Sequence, residues 1–222
     1  MGVTQNSFRG KTVLLTAGPT QEPIDPVRFI SNHSTGKMGY ALAEGFAERG
    51  ALVQLVAGPT NLQARHENIK LTKVTTADEM HAAALQLADA ADVWVFAAAV
   101  SDYRPRTAAD KKIKKTGNEL TIELVKNVDI AAVLGQRKKP GQFSVGFALE
   151  THDESTNARE KLRKKNLDMI VLNSLNDPGA GFSHDTNKVT ILEQEATTAF
   201  ELKQKSEVAQ DIINLIWDRL HG

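Results

Sequence analysis

Apolar residues along this chain recur with two different periods, and the two periods alternate. Thr12–Thr16 is a short apolar run closed by Gly18-Pro19, the signature of a buried strand. Over Gly36–Arg49 the positions Met38, Ala41, Leu42 and Phe46 follow helical spacing, and Gly50 supplies a C-terminal stop. Leu52–Ala57 is again a strand, closed by Gly58-Pro59, and Ile69–Val74 is a strand with polar alternation. Thr76 and Glu79 form a capping box that predicts a helix to about Ala90. Asp92–Val100 reads as one continuous apolar strand and Glu119–Val125 as an alternating one. Ile130–Arg137 reads as a helix, Phe143–Leu149 as a strand, Glu154–Lys165 as a charged helix and Asp168–Leu172 as a strand. The alternation then stops. Asp177–Gly181 is a loop, Lys188–Glu193 and Thr198–Leu202 form a hairpin, and Ser206–Leu220 is an amphipathic helix.

Strand–helix alternation over Thr12–Leu172 predicts an α/β fold. The expected form is a doubly wound, mostly parallel, Rossmann-like sheet with a C-terminal β-hairpin and helix. The expected organisation is a single domain over residues 1–222, with the Rossmann-like core at about 11–175 and the hairpin and helix at about 176–222. The chain is long enough to bury a core without staples, and its lack of cysteine excludes disulfides, iron–sulfur clusters, thiolate zinc sites and a cysteine nucleophile. With 27 basic and 27 acidic residues there is no basic excess to hold a nucleic-acid backbone. No apolar run approaches the ~18–20 residues of a membrane span. Met1–Gly10 is polar, without the apolar stretch of a signal peptide. The expectation is a cytoplasmic protein with no nucleic-acid and no membrane partner.

In such a fold ligands sit at the carboxyl ends of the strands, so the loops there are where chemistry is sought. The first runs from Ala17 through Asp25, Arg28, Asn32 and Ser34-Thr35-Gly36-Lys37-Met38-Gly39 into a helix N-terminus, which favours an anion. It is not a Walker A loop, because Ser31 replaces the first glycine and Met38 stands where a magnesium-binding hydroxyl is required. Two readings stand: Ser34, Gly36 and Gly39 cradle a phosphate, or the glycines permit close helix–sheet packing. The second loop, Ala97-Ala98-Ala99-Val100-Ser101-Asp102, ends a strand in small residues that expose backbone to a ligand. Asp102 either binds that ligand or pairs with a nearby arginine. The run Lys111-Lys112-Ile113-Lys114-Lys115 is either a solvated face or a mobile flap that neutralises phosphates. The third site is Lys126-Asn127-Val128-Asp129-Ile130. Phe147 is a core residue or a stacking platform, and Lys161 and Lys165 share a helical face that either is solvated or reaches a polyphosphate. The six histidines lack zincin spacing, and neither a G-x-S-x-G elbow nor a G-x-G-x-x-G fingerprint is present.

Taken together, TAGPTQEPIDPVRFISNHSTGKMG, AAAVSDYRP with KKIKK, LVKNVDI, VGFALET and KLRKKNLDMIVLN resemble one family closely. This is phosphopantothenate–cysteine ligase, the bacterial CTP-dependent type that forms the C-terminal half of a bifunctional coenzyme A biosynthesis flavoprotein. The resemblance implies a ligase that joins 4′-phosphopantothenate to L-cysteine through an acyl-cytidylate, with CTP as cosubstrate and Mg2+ on the triphosphate. It implies catalytic roles for Asn32 and Lys112. It implies nucleotide contacts from Ala97, Ala98, Asp102, Lys112, Val128, Asp129, Ile130, Phe147, Lys161 and Lys165. Ser34, Gly36, Gly39 and Ala99 would hold phosphate or substrate, and no protein side chain is assigned to metal. It further implies a homodimer, with the hairpin Lys188–Leu202 as a candidate contact. A phosphopantothenoylcysteine decarboxylase, fused or separate, is the implied protein partner.

Overall fold

The computed structural model describes residues 7–114, 117–150, 152–174 and 184–222. The loop expected at Asp177–Gly181, Lys115 of the basic run and Met1–Asn6 lie outside them. The chain opens with β1 (Thr12–Ala17), a small hairpin of β2 (Gln21–Pro23) and β3 (Phe29–Ser31), and α1 (Lys37–Glu48). Next come β4 (Leu52–Ala57), β5 (Ile69–Lys73), α2 (Ala77–Ala88) and β6 (Val93–Phe96). A two-stranded ribbon follows, β7 (Tyr103–Pro105) with β8 (Leu124–Lys126), then α3 (Ile130–Gln136), β9 (Phe143–Glu150), α4 (Glu154–Lys164) and β10 (Met169–Ser174). The last part comprises β11 (Thr186–Asn187), β12 (Val189–Leu192), β13 (Thr197–Ala199), β14 (Lys203–Gln204) and α5 (Lys205–His221).

Eight strands form one sheet in the order β13-β12-β10-β9-β6-β1-β4-β5. The six strands from β10 to β5 are parallel, and β12 and β13 add antiparallel at one edge. The fold is therefore the doubly wound, mostly parallel α/β sheet expected, and the late hairpin continues the sheet.

Period-2 alternation sends consecutive strand residues to opposite faces. Val13, Leu15, Val53, Leu55, Val93, Val95, Val145, Met169 and Val171 pack against α1 and α5. Leu14, Val56, Trp94, Phe96, Ile170 and Leu172 pack against α2, α3 and α4. Both faces are covered, which is why the central strands are apolar at nearly every position. Glycine sets the closeness of two contacts. A Cβ at Gly39 would lie 2.5 Å from the Ala17 Cβ, so α1 rests directly on β1. A Cβ at Gly135 would lie 1.8 Å from the Lys165 carbonyl oxygen, so the end of α4 reaches α3 only because residue 135 has no side chain.

Two expectations are corrected. The strand predicted over Asp92–Val100 ends at Phe96, where its pairing with β9 stops, and beyond it the chain keeps only a looser seam with the loop after β1. The strand predicted over Glu119–Val125 is only Leu124–Lys126, and it pairs with Tyr103–Pro105 outside the main sheet. Alternation in 119–123 reflects a largely exposed segment, not a pleated face on a core.

Candidate active site

The order of the parallel strands reverses between β1 and β6, so their loops leave toward opposite faces and open a crevice at the carboxyl rim. Backbone hydrogen bonds draw the two loops together. Pro19 and Ala99 form a parallel bridge. The Ala97 N–H donates to the Thr16 carbonyl at 3.1 Å, and the Ala99 N–H donates to the Gly18 carbonyl at 2.9 Å. The Ser101 N–H donates to Thr20 Oγ1 at 3.0 Å. Over this seam lies Asn32, exposed, whose Nδ2 donates to the Ala99 carbonyl at 3.0 Å. Ser31 Oγ, next to it, donates to the Thr20 carbonyl at 2.7 Å.

Asn127 joins the third loop to the second. It is buried, its N–H donates to the Asp102 carbonyl at 2.8 Å, and its Nδ2 donates to the Ser101 carbonyl at 2.8 Å. Its Oδ1 accepts from Arg104 at 2.8 Å. Arg104 also pairs with Asp78 at 3.7 Å. Asp102 is therefore not held by this arginine. Its carboxylate is exposed and makes no side-chain hydrogen bond among the described residues.

Asp129 caps α3, accepting from the Ala132 N–H at 3.0 Å, and its other oxygen pairs with Lys165 Nζ at 3.0 Å. Lys161 pairs with Glu150 at 2.6 Å. Both lysines thus stand at the rim with carboxylate partners. Val128 is half-buried and Ile130 is buried against the α2, α3 and α4 side. Phe147 packs on the opposite side, against the α1 and α5 core, so the sheet lies between its ring and Ile130.

Gly36 precedes α1 at φ +79°, and no side chain caps that helix. Ser34 Oγ accepts from the Gly36 N–H at 3.3 Å, which keeps the loop tight at the helix entrance. A Cβ at Gly36 would lie 3.3 Å from the Gly18 Cα and one at Gly39 2.5 Å from the Ala17 Cβ, so both glycines have a packing duty whether or not phosphate binds. Lys37, in the first turn, pairs with Asp185. Lys111, Lys112 and Lys114 are exposed, and Lys112 has no side-chain partner among the described residues.

The structure brings Asn32, Ala97 to Asp102, and Asn127 to Asp129 with Lys165 to one rim. It adds residues the sequence reading left without a role: Thr20, Asn127, Arg104, Asp25 and Arg28. Asp25-Pro26 is a turn dipeptide, and that was the available signal for Asp25. Asp25 is buried, and the Arg28 guanidinium beside it holds its carboxyl well below the usual carboxylate range. Among the described residues no group of three or more His, Asp or Glu could hold a metal ion. No helix among them is long and apolar enough to cross a membrane.

Residues 8–220 match the family described as the DNA/pantothenate metabolism flavoprotein C-terminal domain. A cysteine/cysteine sulfinic acid decarboxylase from an unknown prokaryotic organism is 52% identical over 220 residues, covering 99% of this chain and 61% of that protein. The coenzyme A biosynthesis bifunctional protein CoaBC of Haemophilus influenzae is 45% identical over 215 residues, covering 97% of this chain and 53% of that protein. The crystal structure of the C-terminal domain of a CoaBC protein superposes with a TM-score of 0.82 at 39% identity, covering 97% of this chain and 98% of that one. This chain thus spans roughly half to three-fifths of the length of these two curated relatives.

Proposed function

The chain belongs to the DNA/pantothenate metabolism flavoprotein C-terminal domain family, and on that premise we propose that it is a CTP-dependent phosphopantothenate–cysteine ligase of coenzyme A biosynthesis. The carboxylate of 4′-phosphopantothenate attacks the α-phosphate of CTP in line, the bond to pyrophosphate breaks, and an acyl-cytidylate forms. The cysteine amine then attacks the acyl carbon, CMP leaves with the bonding pair, and the amide remains. A free carboxylate resists amide formation because its leaving group would be oxide, whereas CMP departs readily from the mixed anhydride.

The observation that carries this reading is the Asn32 amide lying over the alanine strand end, its Nδ2 on the Ala99 carbonyl. One amide hydrogen is used there. The other is available to a developing oxyanion, and it stabilises that charge without adding a formal one. Ala97, Ala98 and Ala99 leave room for the acyl-nucleotide along the seam, and Asp102 faces the nucleotide. Val128, Asp129 and Ile130 frame the base from the α3 side, Phe147 reaches it only over the rim from the opposite face, and Ser34, Gly36 and Gly39 receive the substrate phosphate at the α1 entrance. Lys112, Lys161 and Lys165 balance the triphosphate. Lys161 and Lys165 must exchange Glu150 and Asp129 for phosphate oxygens. Partly exposed ion pairs are worth only about 0–1 kcal/mol, so a polyanion wins that exchange. Magnesium arrives on the triphosphate, with no protein side chain assigned to it. A homodimer working in the cytoplasm, with a phosphopantothenoylcysteine decarboxylase fused or separate, completes the reading.

The test is pyrophosphate release that requires both phosphopantothenate and CTP, followed by CMP release on adding cysteine. Lys112→Ala should slow the first step by roughly 10²–10³-fold, the usual cost of one transition-state donor. Asn32→Asp should leave the acyl-cytidylate detectable by mass spectrometry. Wild-type protein that evolves CO2 from cysteine or its sulfinic acid without nucleotide would instead favour the activity named for the relative at 52% identity.

A further inference from the structure

Asp25 is unusual among the carboxylates of this chain because both its oxygens are fully committed and its side chain has no solvent exposure. Oδ1 accepts from the N–H groups of Val27 and Arg28, each at 2.9 Å. Oδ2 accepts from Arg28 Nε at 3.1 Å, from Arg28 Nη2, and from the Ile113 N–H at 3.0 Å. Arg28 Nη2 also donates to the Ile113 carbonyl at 3.2 Å. One residue of the basic segment is therefore gripped at both its backbone groups by one ion pair. A second tether runs from the Ala109 N–H to the Ile24 carbonyl at 2.9 Å.

Ile113 lies between Lys112 and Lys114, both exposed. Nothing else among the described residues fixes the Lys112 side chain, so its position is set by the backbone that carries it. The hairpin that supplies the grip, β2 with β3, runs directly into Asn32. It is itself fixed to the body: Glu22 is buried and accepts from the Ala77 N–H at 2.9 Å, and the Gln21 N–H donates to the Thr75 carbonyl at 2.8 Å.

We propose that Asp25, with Arg28, is a positioning residue that clasps the basic flap at Ile113 and so sets Lys112 in register with Asn32. The ion pair contacts no substrate in this role. It holds the backbone of an exposed cationic segment, and so sets the place of a lysine whose side chain has no partner of its own among the described residues. The proposal rests on the ligase reading for what Lys112 does there, but not for the clasp itself.

The experiment uses the full chain and two independent readouts. In the first, trypsin is applied under native conditions, and cleavage after Lys111, Lys112 and Lys114 is timed by mass spectrometry. Asp25→Asn should speed cleavage at these sites by about tenfold or more while leaving sites in α4 unchanged, because protease sampling follows local opening. In the second, pyrophosphate release is measured for Asp25→Asn, Lys112→Ala and the double variant. Asp25→Asn alone should lower kcat on the order of 10²-fold, the scale of losing a positioned group. Added to Lys112→Ala it should cost less than about twofold, since its effect travels through Lys112. Arg28→Lys, which retains charge but cannot bridge Asp25 and Ile113 together, should reproduce the faster cleavage. Unchanged proteolysis, or a full Asp25→Asn loss persisting in the Lys112→Ala background, overturns the clasp. So does loss of folding in both Asp25→Asn and Arg28→Lys. If wild-type protein releases no pyrophosphate, the ligase reading fails, and the proteolysis arm still decides whether the clasp exists.

Discussion

A carboxylate without solvent exposure is stable as an anion only when its lone pairs are taken, and Asp25 meets that condition with Arg28 and three backbone N–H groups. Its folded-state pKa lies below the ordinary value of 3.8, chiefly because of the Arg28 side chain. A depressed carboxyl stabilises the fold at pH above its unfolded pKa, and that contribution fades as pH falls toward the folded one. The stability gap between wild type and Asp25→Asn should be flat above about pH 4.5 and shrink steadily below about pH 4 in urea titrations. A gap that widens on acidification would contradict this sign. Residues of this kind were only partly legible in the sequence. Asp102 and Asp129 stood out because they follow strand ends, and Asn32 through the family resemblance. Asp25 and Asn127 lay in the candidate loops but had no role there, because their partners, Ile113 and Ser101, lie far away in the chain. Lys161 and Lys165 were readable as a shared helical face, but their engagement by Glu150 and Asp129 depends on tertiary packing.

Among the elements, β4 was read residue for residue as Leu52–Ala57, since apolar burial and the Gly58-Pro59 stop bound it on local grounds. The helix α2 was equally readable, and its start has the full capping box: Thr76 Oγ1 accepts from the Glu79 N–H at 3.2 Å while Glu79 accepts from Thr76. Removing the hydroxyl in Thr76→Ala should cost about 1 kcal/mol, measured as a lower urea midpoint with unchanged slope. The loss should also loosen the hairpin that docks on this helix start through Glu22. The ribbons β2–β3 and β11–β14 and the strand β7 escaped the sequence reading, and β8 was read as the longer Glu119–Val125. Strands of two or three residues carry too little pattern to register a period, and in β7–β8 and β11–β14 the paired strands are also well separated in the chain. The rim of the site is built from two of these ribbons, which is why the fold was more legible than the site.

The whole molecule has two apolar layers, one on each face of the sheet, and their side chains meet different helices. Ile213 belongs to one layer and Leu162 to the other. Each truncated to alanine should lose about 2–5 kcal/mol, and the double variant should show the sum within about 0.5 kcal/mol in urea unfolding. Strong coupling between them would mean that the layers are not independent. The mixed sheet also has a temporal side. β1 precedes β4 and β6 in the sequence, yet it lies between them at the centre. A nascent polypeptide emerging from the ribosome carries β1 with one flank bare until Val93 appears. Until β6 is in place, β1, β4 and β5 form a half-sheet whose inner edge is unpaired, the kind of bare edge on which a slowly closing parallel sheet mispairs.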